Sequence, residues 1–240
     1  MKKALVVGGV NGVGMSIVTQ LAKRENLYII DKVVVSGEFV NPKFKCIQFD
    51  LTSEDFSIFD GFRDIDTLMI TVGLGKLSLF KNIAEWYVIN LFSVNYVEFV
   101  RAIHHFMDKF SGKEDFRCGV MVSIAGFMSS LFFTIYGATK AALKIFIESV
   151  NMELEKGGST NCVLNVSPGS IKGTSFNNGK TDFSVIEDIE DEIIAHLEAK
   201  DDLFIPQHEE IFKNLLACYQ ADFREEGRHS NEYKKTSKRV

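Results

Sequence analysis

A tyrosine and a lysine lie four residues apart in the stretch YGATKAA, at Tyr136 and Lys140. This pairing could move protons, because an ammonium group favours the phenolate form of a nearby phenol and lowers its pKa. The same spacing occurs at Tyr28 and Lys32, so the spacing alone does not identify a site. The element that carries each pair decides whether its two side chains can act together.

The two pairs lie on different predicted elements. Tyr28 and Lys32 fall in YIIDK, which is typical of a strand, and four residues of a strand span about 13 Å. Tyr136 begins YGATKAALKIFIESVNMELEK, whose helix formers and apolar spacing predict a helix. On a helix the Cβ atoms of such a pair are about 5–6 Å apart, so Tyr136 and Lys140 can cooperate. The alternative is an ordinary helix start with a half-buried tyrosine and a solvated lysine.

A glycine-rich turn follows the first apolar run. The segment VGGVNGVGMSIVTQLAKR carries Gly8, Gly12 and Gly14, with Asn11 and Val13 between them, and then continues as a helical pattern. Glycine allows a tight turn and a close approach of the backbone to a pyrophosphate, and a helix N-terminus offers free N–H groups and a positive dipole. The segment predicts a dinucleotide-binding turn, and the alternative is a merely flexible loop.

Two acidic residues follow the next predicted strands. Asp31 ends the second strand, at about the distance from the glycines where a dinucleotide fold places an acid against the adenine ribose. The alternative for Asp31 is a surface aspartate at a strand end. Asp50, followed by Leu51, comes after the third strand and could either face the adenine or cap the next helix.

The chain alternates short apolar runs with longer helical patterns. The predicted strands cover residues 3–8, 27–31, 44–49, 66–72, 119–124, 161–166 and 203–205. The predicted helices cover residues 12–24, 80–110, 137–156, 185–199 and 208–222. Strands that are apolar on both faces and separated by helices predict a parallel sheet covered on both sides. The expected fold is therefore an α/β Rossmann-type doubly wound sheet, with three α/β/α layers in a single domain over residues 1–240.

Composition excludes several classes of protein. The 240 residues are 46% hydrophobic, which suits one sizeable core. The net charge is −5 and no basic stripe precedes the last residues, so we expect no nucleic-acid partner. The longest apolar runs are shorter than the roughly 18 residues of a membrane span, and the N-terminal run is too short for a signal peptide. The four scattered cysteines suggest free thiols in a reducing compartment, so we expect a cytoplasmic protein.

Together these segments resemble the short-chain dehydrogenase/reductase family, over nearly the whole chain from VGGVNGVG to LFIP near residue 203. VSIAG is similar to the stretch that carries the family's catalytic serine, here Ser123, and VINLFS is similar to the one with its active-site asparagine, here Asn90. YGATK carries the tyrosine and the lysine. DTLMITVG occupies the place of the family's Asn-Asn-Ala-Gly strand end, and VSPGSIKGTSF resembles its Pro-Gly segment and nicotinamide-contacting threonine.

The resemblance implies hydride transfer between a nicotinamide cofactor and an alcohol or ketone of small size. Tyr136 would be the general acid/base, Lys140 would lower its pKa and bind the ribose, Ser123 would hold the substrate oxygen, and Asn90 would hold a relay water. NAD is expected in preference to NADP, because a 2′-phosphate would meet the charge of Asp31. The expected cofactor-binding residues are Gly8, Asn11, Gly12, Val13, Gly14, Asp31, Asp50, Leu51, Val72, Gly73, Tyr136, Lys140, Pro168, Gly169, Ile171 and Thr174.

Three departures from the family pattern stand out. Ile70 and Thr71 replace its two asparagines, so part of a structural hydrogen-bond set is missing or rebuilt. The segments 31–50 and 73–90 look short, which puts a helix between the second and third strands in doubt. The PGSIKGT stretch has one residue more than the commonest spacing, so the role of Thr174 is the least certain to carry over.

Several further expectations concern partners and substrate. The predicted helix over residues 86–110 is apolar on almost every side, which indicates a homodimer or homotetramer, or else a single thick core. The polar tail from about residue 224 is expected to be a solvated or partner-subunit arm. The substrate pocket is expected along residues 126–133, with Phe127, Leu131 and Phe132, and along the polar loop around residues 174–187. The rival functions are a non-catalytic dinucleotide-binding sensor or scaffold and, more remotely, a sugar-nucleotide epimerase.

Overall fold

The strands form one parallel sheet in the order β3-β2-β1-β4-β5-β6-β7 in this computed structural model. The structure describes residues 2–23, 26–33, 44–53, 55–171, 174 and 183–236. The strands are β1 (Lys3–Val7), β2 (Asn26–Asp31), β3 (Phe44–Gln48), β4 (Thr67–Ile70), β5 (Arg117–Met121), β6 (Val163–Val166) and β7 (Leu203–Phe204). The strand order reverses between β1 and β4, and open α/β sheets bind ligands at such a switch point.

Helices follow most of the strands. They are α1 (Gly12–Leu21), α2 (Glu85–Phe92), α3 (Glu98–His105), α4 (Met107–Ser111), α5 (Thr134–Lys156), α6 (Phe183–Ala199), α7 (Lys213–Ala221) and α8 (Phe223–Thr236). Short 3₁₀ segments lie at Ser57–Phe62, Phe80–Asn82 and Ile124–Gly126, and single π-helical turns lie at Ser93–Val97 and His208–Phe212. None of the helices in the described part of the chain is long and apolar enough to cross a bilayer.

Alternate residues of β1 belong to two separate cores, one on each face of the sheet. Leu5 and Val7 pack into a cluster with residues of α3 and α5, among them Phe99. Ala4 and Val6 pack into a second cluster with residues of α1 and α6. Because successive side chains of a strand point to opposite faces, a strand that is apolar throughout needs such a cover on both sides. The predicted three-layer α/β Rossmann-type fold is confirmed.

The prediction of one continuous helix over residues 80–110 is wrong. The segment is broken into α2, the π-helical turn, α3 and α4, because a π-helical turn inserts at Ser93–Val97 and the helix ends at Phe106. Trp86 is 69% exposed and Ile89 is 65% exposed, which contradicts the alternative of a single thick core and leaves the expected subunit contact a prediction. The other face of α2 packs towards α5 and the sheet, so an apolar strip of α2 is left uncovered.

The predicted solvated or partner-bound arm from about residue 224 is also wrong. Residues Phe223–Thr236 form helix α8, which packs on its own chain. Its Lys234 is 5% exposed and donates a hydrogen bond to the backbone oxygen of Leu131 at 2.8 Å. The helix that was in doubt between the second and third strands would fall on residues 34–43, which lie outside the described residues.

Candidate active site

One cleft of about 1160 Å³ opens at the carboxyl ends of the strands. It brings together every residue that the sequence predicted for the site. They are Gly8, Asn11, Gly12, Val13, Gly14, Asp31, Asp50, Leu51, Val72, Gly73, Asn90, Ser123, Tyr136, Lys140, Pro168, Gly169, Ile171 and Thr174. Because parallel strands end at the same edge of the sheet, residues that directly follow β1 to β6 meet there although they are far apart in sequence.

The glycine turn leaves an anion site open to this cleft. Helix α1 begins at Gly12, and the amide of Met15 is the one that bonds to Asn11 O, at 3.2 Å. The amides before it therefore lie in the unpaired first turn of the helix. Gly12 has a φ of +53°, and a Cβ built on it would lie at ordinary contact distance, 3.9 Å, from the Thr174 side chain, so its backbone conformation and not crowding favours glycine there. A dinucleotide pyrophosphate fits this cradle.

Gly14 has a different role, which is to let the turn pack on β4. A Cβ on Gly14 would lie 2.2 Å from the backbone oxygen of Gly8 and 2.5 Å from Thr71 Oγ1. Contacts of that length do not occur, so any side chain there must displace the turn or the helix. The requirement for glycine at this position comes from the protein's own packing.

Replacing Gly14 by alanine is expected to lower the free energy of unfolding by about 1–3 kcal/mol, the usual cost of overpacking. Affinity for a dinucleotide should fall with it, because the displaced turn carries the anion site. Denaturant unfolding and titration calorimetry measure the two effects. The control is Gly61→Ala, since nothing lies within 4 Å of a Cβ there. A Gly14→Ala protein as stable as Gly61→Ala would contradict this account of the turn.

The hydrogen-bond set lost with the family's two asparagines is rebuilt from other residues. Thr71 Oγ1 donates to Gly8 O at 2.9 Å and so ties β4 to the turn. The side chain of Asn95 accepts from the amide of Leu74 at 2.8 Å and donates to its carbonyl at 2.8 Å. Asn95 is fully buried and lies in the π-helical turn. Sequence reasoning missed it, although an asparagine in an otherwise apolar helix was a usable signal.

The acidic residues are held by the backbone and by a lysine. Asp31 accepts hydrogen bonds from the amides of Val10 and Val33, both at 3.1 Å. Lys32 forms an ion pair with Asp50, with Nζ and Oδ2 2.8 Å apart. Hydrogen bonds from Lys32 and Thr52 hold the pKa of Asp50 below its usual value. Asp50 also receives the amide of Thr52 at 3.0 Å, so it caps the turn and lines the cleft as well.

The Ser123 hydroxyl lies near the Tyr136 phenol and acts to lower the pKa of that phenol. Ser123 follows the end of β5 and was predicted inside the strand; leaving the strand frees its hydroxyl to reach the cleft. The Ser123 Oγ also accepts from the amide of Ala125 at 3.1 Å and lies 3.5 Å from Pro168 O. These contacts bring the hydroxyl from the strand end and the phenol from the first turn of α5 to one point.

Lys140 lies one helical turn beyond Tyr136, as predicted. Burial shifts the pKa of both side chains. The ammonium group of Lys140 donates to the backbone oxygen of Met121 at 2.9 Å, and the residue is 2% exposed. Burial lowers the pKa of Lys140 to about 7. Burial also raises the pKa of Tyr136 to about 12, with the Ser123 hydrogen bond acting in the opposite direction.

Burial therefore opposes the expected effect of Lys140 on the pKa of Tyr136, and that effect stays a prediction. The physical reason is that both groups are buried together. Removing water penalises the charged form of each, so the lysine shifts towards the neutral amine and the tyrosine towards the neutral phenol.

Two further predicted residues occupy less constrained positions. Asn90 lies in α2, is half-buried and lines the cleft. Thr174 is 8% exposed and its hydroxyl donates to Ile171 O at 3.1 Å, so it too lines the cleft despite the extra residue in its loop.

The substrate end of the cleft is lined differently from the prediction. Phe127, Leu131 and Phe132 are not among its lining residues, and Phe127 instead packs against Phe212 with ring centroids 5.4 Å apart. The lining from that predicted stretch comes from Met128, Ser129, Ser130 and Phe133. The sequence missed the contribution of the C-terminal helices. They supply Ile211, Phe212, Leu215, Glu226, His229, Ser230, Tyr233 and Lys234.

Comparisons with known proteins identify the family to which the chain is similar. A family model described as short chain dehydrogenase matches residues 2–184. An uncharacterised oxidoreductase of Saccharomyces cerevisiae is 26% identical over 190 aligned residues, which cover 72% of this chain. The chain spans 61% of the length of that relative.

Solved structures share the fold. A short chain dehydrogenase from Burkholderia cenocepacia in complex with NADP superposes with a TM-score of 0.77 at 21% identity, covering 92% of this chain and 97% of that one. An alcohol dehydrogenase from the archaeon Thermococcus sibiricus, complexed with 5-hydroxy-NADP, has a TM-score of 0.72 at 18% identity, covering 85% of this chain and 95% of that one.

Proposed function

Because the chain belongs to the short-chain dehydrogenase family, we propose that it is an NAD(P)-dependent oxidoreductase that interconverts an alcohol and a carbonyl compound. The observation that supports this proposal is that Ser123, Tyr136 and Lys140 line the same cleft as the glycine turn. A protein that only binds a dinucleotide needs the glycine turn but has no use for two hydroxyl groups that meet at the substrate end.

Each side chain of the cleft has a separate role in the proposed reaction. The nicotinamide, when bound, supplies or accepts the hydride. The Ser123 hydroxyl holds the substrate oxygen and stabilises the charge that develops on it. Tyr136 exchanges a proton with the same oxygen, and its pKa of about 12 keeps the phenol protonated at neutral pH, ready to donate to a carbonyl. In the reverse direction the phenol must first pass its own proton to Lys140, and the resulting phenolate accepts the proton of the alcohol.

Lys140 and Asn90 complete the proposed proton path. With a pKa of about 7, Lys140 can gain and lose a proton near neutral pH, which suits a relay better than a fixed charge does. Asn90, half-buried in the wall of the cleft, would hold the water that connects Lys140 to solvent.

The non-catalytic sensor is the weaker reading. Its support was the altered strand end around Ile70 and Thr71, and the contacts of Thr71 and Asn95 rebuild that strand end. A screen of alcohols and ketones, followed by nicotinamide absorbance, tests the choice directly. Turnover of any compound supports the oxidoreductase, whereas tight dinucleotide binding without turnover across a broad panel would support the sensor.

For the cofactor we propose NAD rather than NADP, on the basis of Asp31. A 2′-phosphate would stand against this carboxylate, and each like-charge contact at about 4 Å costs on the order of 4 kcal/mol at an effective dielectric near 20. Solvent and salt reduce that severalfold, but about 1.4 kcal/mol is already a tenfold preference. Lys32 already forms an ion pair with Asp50, which competes with any contact between Lys32 and a phosphate. The contrary observations are the NADP in the similar Burkholderia structure and the 5-hydroxy-NADP in the Thermococcus structure.

The wild-type protein is accordingly expected to prefer NAD by about tenfold or more in kcat/KM. Asp31→Ser should reduce or reverse that ratio, because it removes the charge that opposes the phosphate. Steady-state kinetics with both cofactors measure it, and Lys32→Met serves as the control. A wild-type preference for NADP that Lys32→Met abolishes would show that the lysine governs the pocket.

We also propose a homodimer or homotetramer in the cytoplasm. Trp86 and Ile89 of α2 are exposed, and α5, which packs on α2, exposes Ile145 (58%) and Met152 (62%); a second copy of the chain would cover such apolar side chains. All four cysteines are free, which supports a reducing compartment.

A further inference from the structure

The loop formed by residues 129–133, called here the 129–133 loop, lies between Ser123 and Tyr136 and is fastened by the C-terminal helices. We propose that Lys234 of α8 is a positioning residue for catalysis, because it holds this loop and through it the first turn of α5. The inference rests on the proposed function, since it concerns the placement of Tyr136.

Helix α8 is built almost entirely of polar residues, and within its length the buried side chain is that of Lys234. A buried ammonium group is costly unless several oxygens surround it. Lys234 donates to Ser130 Oγ, to Leu131 O at 2.8 Å and to Ser230 Oγ at 3.1 Å. The same group lies 4.8 Å from the centre of the Phe133 ring. Most of these partners belong to the 129–133 loop.

The loop has a conformation that needs such support. Phe132 has a φ of +72°, a left-handed backbone conformation that is costly for a bulky residue. Strained residues persist only where the surroundings fix them. Ser78 bonds to Phe132 O at 3.2 Å, Tyr219 of α7 hydrogen-bonds Ser129, and Lys234 holds the two residues between them.

Phe133 connects the 129–133 loop to Tyr136 and to the first turn of α5. Its ring lies 5.3 Å from that of Tyr136, centre to centre. Its carbonyl accepts from the amide of Gly137 at 2.7 Å, and its own amide bonds to Ser130 O at 3.1 Å. A shift of the 129–133 loop therefore moves the first turn of α5, and misplacing a reacting group by about 1 Å can cost 100-fold in rate.

The proposed dinucleotide contacts at the glycine turn and Asp31 include none of the residues that hold Lys234. Loss of the Lys234 contacts should consequently impair the chemical step and the binding of the carbonyl substrate while leaving dinucleotide affinity unchanged. A residue that merely stabilised the fold would not separate these quantities.

The test replaces Lys234 by methionine, which keeps much of the packing over Phe133 and removes the donors. On any ketone that the wild type reduces, kcat should fall by roughly 10- to 100-fold. The dissociation constant of NADH should stay within twofold of wild type, on the order of the scatter between neutral variants. Amide hydrogen exchange at residues 129–133 and at Gly137 should accelerate. The matched control is Lys235→Met, since Lys235 is exposed and pairs with Glu232.

A second variant keeps the test decisive if Lys234→Met does not fold. Ser130→Ala removes one acceptor and should accelerate exchange in the same loop. Where Lys234→Met does fold, the two effects should be less than additive in the Lys234→Met/Ser130→Ala double variant, because both changes remove the contact between Lys234 and Ser130. Exchange rates and kcat that match those of Lys235→Met would overturn the proposal. If the wild type reduces no ketone, the proposed function fails, and the exchange measurements alone still decide whether Lys234 holds the loop.

Discussion

Replacing Tyr136 by phenylalanine is expected to lower kcat by roughly 10²–10⁴-fold, the usual contribution of a placed proton donor. The change removes the hydroxyl that Ser123 contacts and leaves the ring that packs against Phe133. Binding of the dinucleotide should be nearly unchanged, because the variant leaves the proposed cofactor contacts at the glycine turn and Asp31 intact. Steady-state kinetics measure the loss of kcat, and calorimetry with the cofactor measures the dinucleotide affinity.

The chain offers its own control for this experiment. Tyr28 has a lysine at the same spacing but lies on β2, where its ring packs against Phe62 with centroids 5.2 Å apart. Tyr28→Phe should therefore leave kcat close to wild type. If Tyr136→Phe and Tyr28→Phe turn over equally well, the acid/base assignment is wrong.

Replacing Lys140 by methionine is expected to abolish most of the activity and to make the protein more stable at neutral pH. The lysine has a pKa of about 7 in the folded chain against an ordinary value of 10.5, because burial penalises its charge. Between those two values the unfolded chain holds a proton that the folded chain does not. The free energy of unfolding of the wild type therefore rises with pH across this window. The destabilisation caused by charging the buried Lys140 is fully present below about pH 7.

The apolar variant removes that destabilisation. The gain in the free energy of unfolding at pH 6 is at most about 5 kcal/mol, reduced by the donor that the Met121 carbonyl loses. The gain should shrink towards zero near pH 10.5, which denaturant unfolding at several pH values would measure. Lys144→Met is the control, since Lys144 lies one turn further on and pairs with Glu148 at 2.8 Å. A Lys140→Met protein less stable than wild type at every pH would contradict the prediction.

Loss of activity together with a gain in the free energy of unfolding in Lys140→Met would show that this residue of the site lowers the stability of the fold. A buried lysine with a strongly shifted pKa is a poor structural choice, and such residues concentrate at functional sites. The stabilising substitution and the inactivating one are the same change at Lys140, which is the result expected if that residue is kept for its chemistry.

The sequence by itself determined the sheet, the glycine turn and the Tyr136–Lys140 pair. Each rests on a local regularity: apolar runs mark strands, helical spacing marks α5, and glycines between a strand and a helix mark an anion site. The order of these segments, with Ser123 and Asn90 in register, supported the family resemblance. Every predicted site residue then met in one cleft, because parallel strands bring their carboxyl ends to one edge.

Only the tertiary structure decided the features that depend on burial or on residues distant in sequence. Asn95 takes over contacts of the missing asparagines from a helix 21 residues away from Leu74. Lys234 reaches Leu131 across 103 residues, and no local pattern in the polar tail indicates that contact. The direction of the pKa of Tyr136 also followed from burial and not from its lysine neighbour. Spacing along a chain fixes which groups can meet, whereas the removal of water fixes the charge they carry when they do.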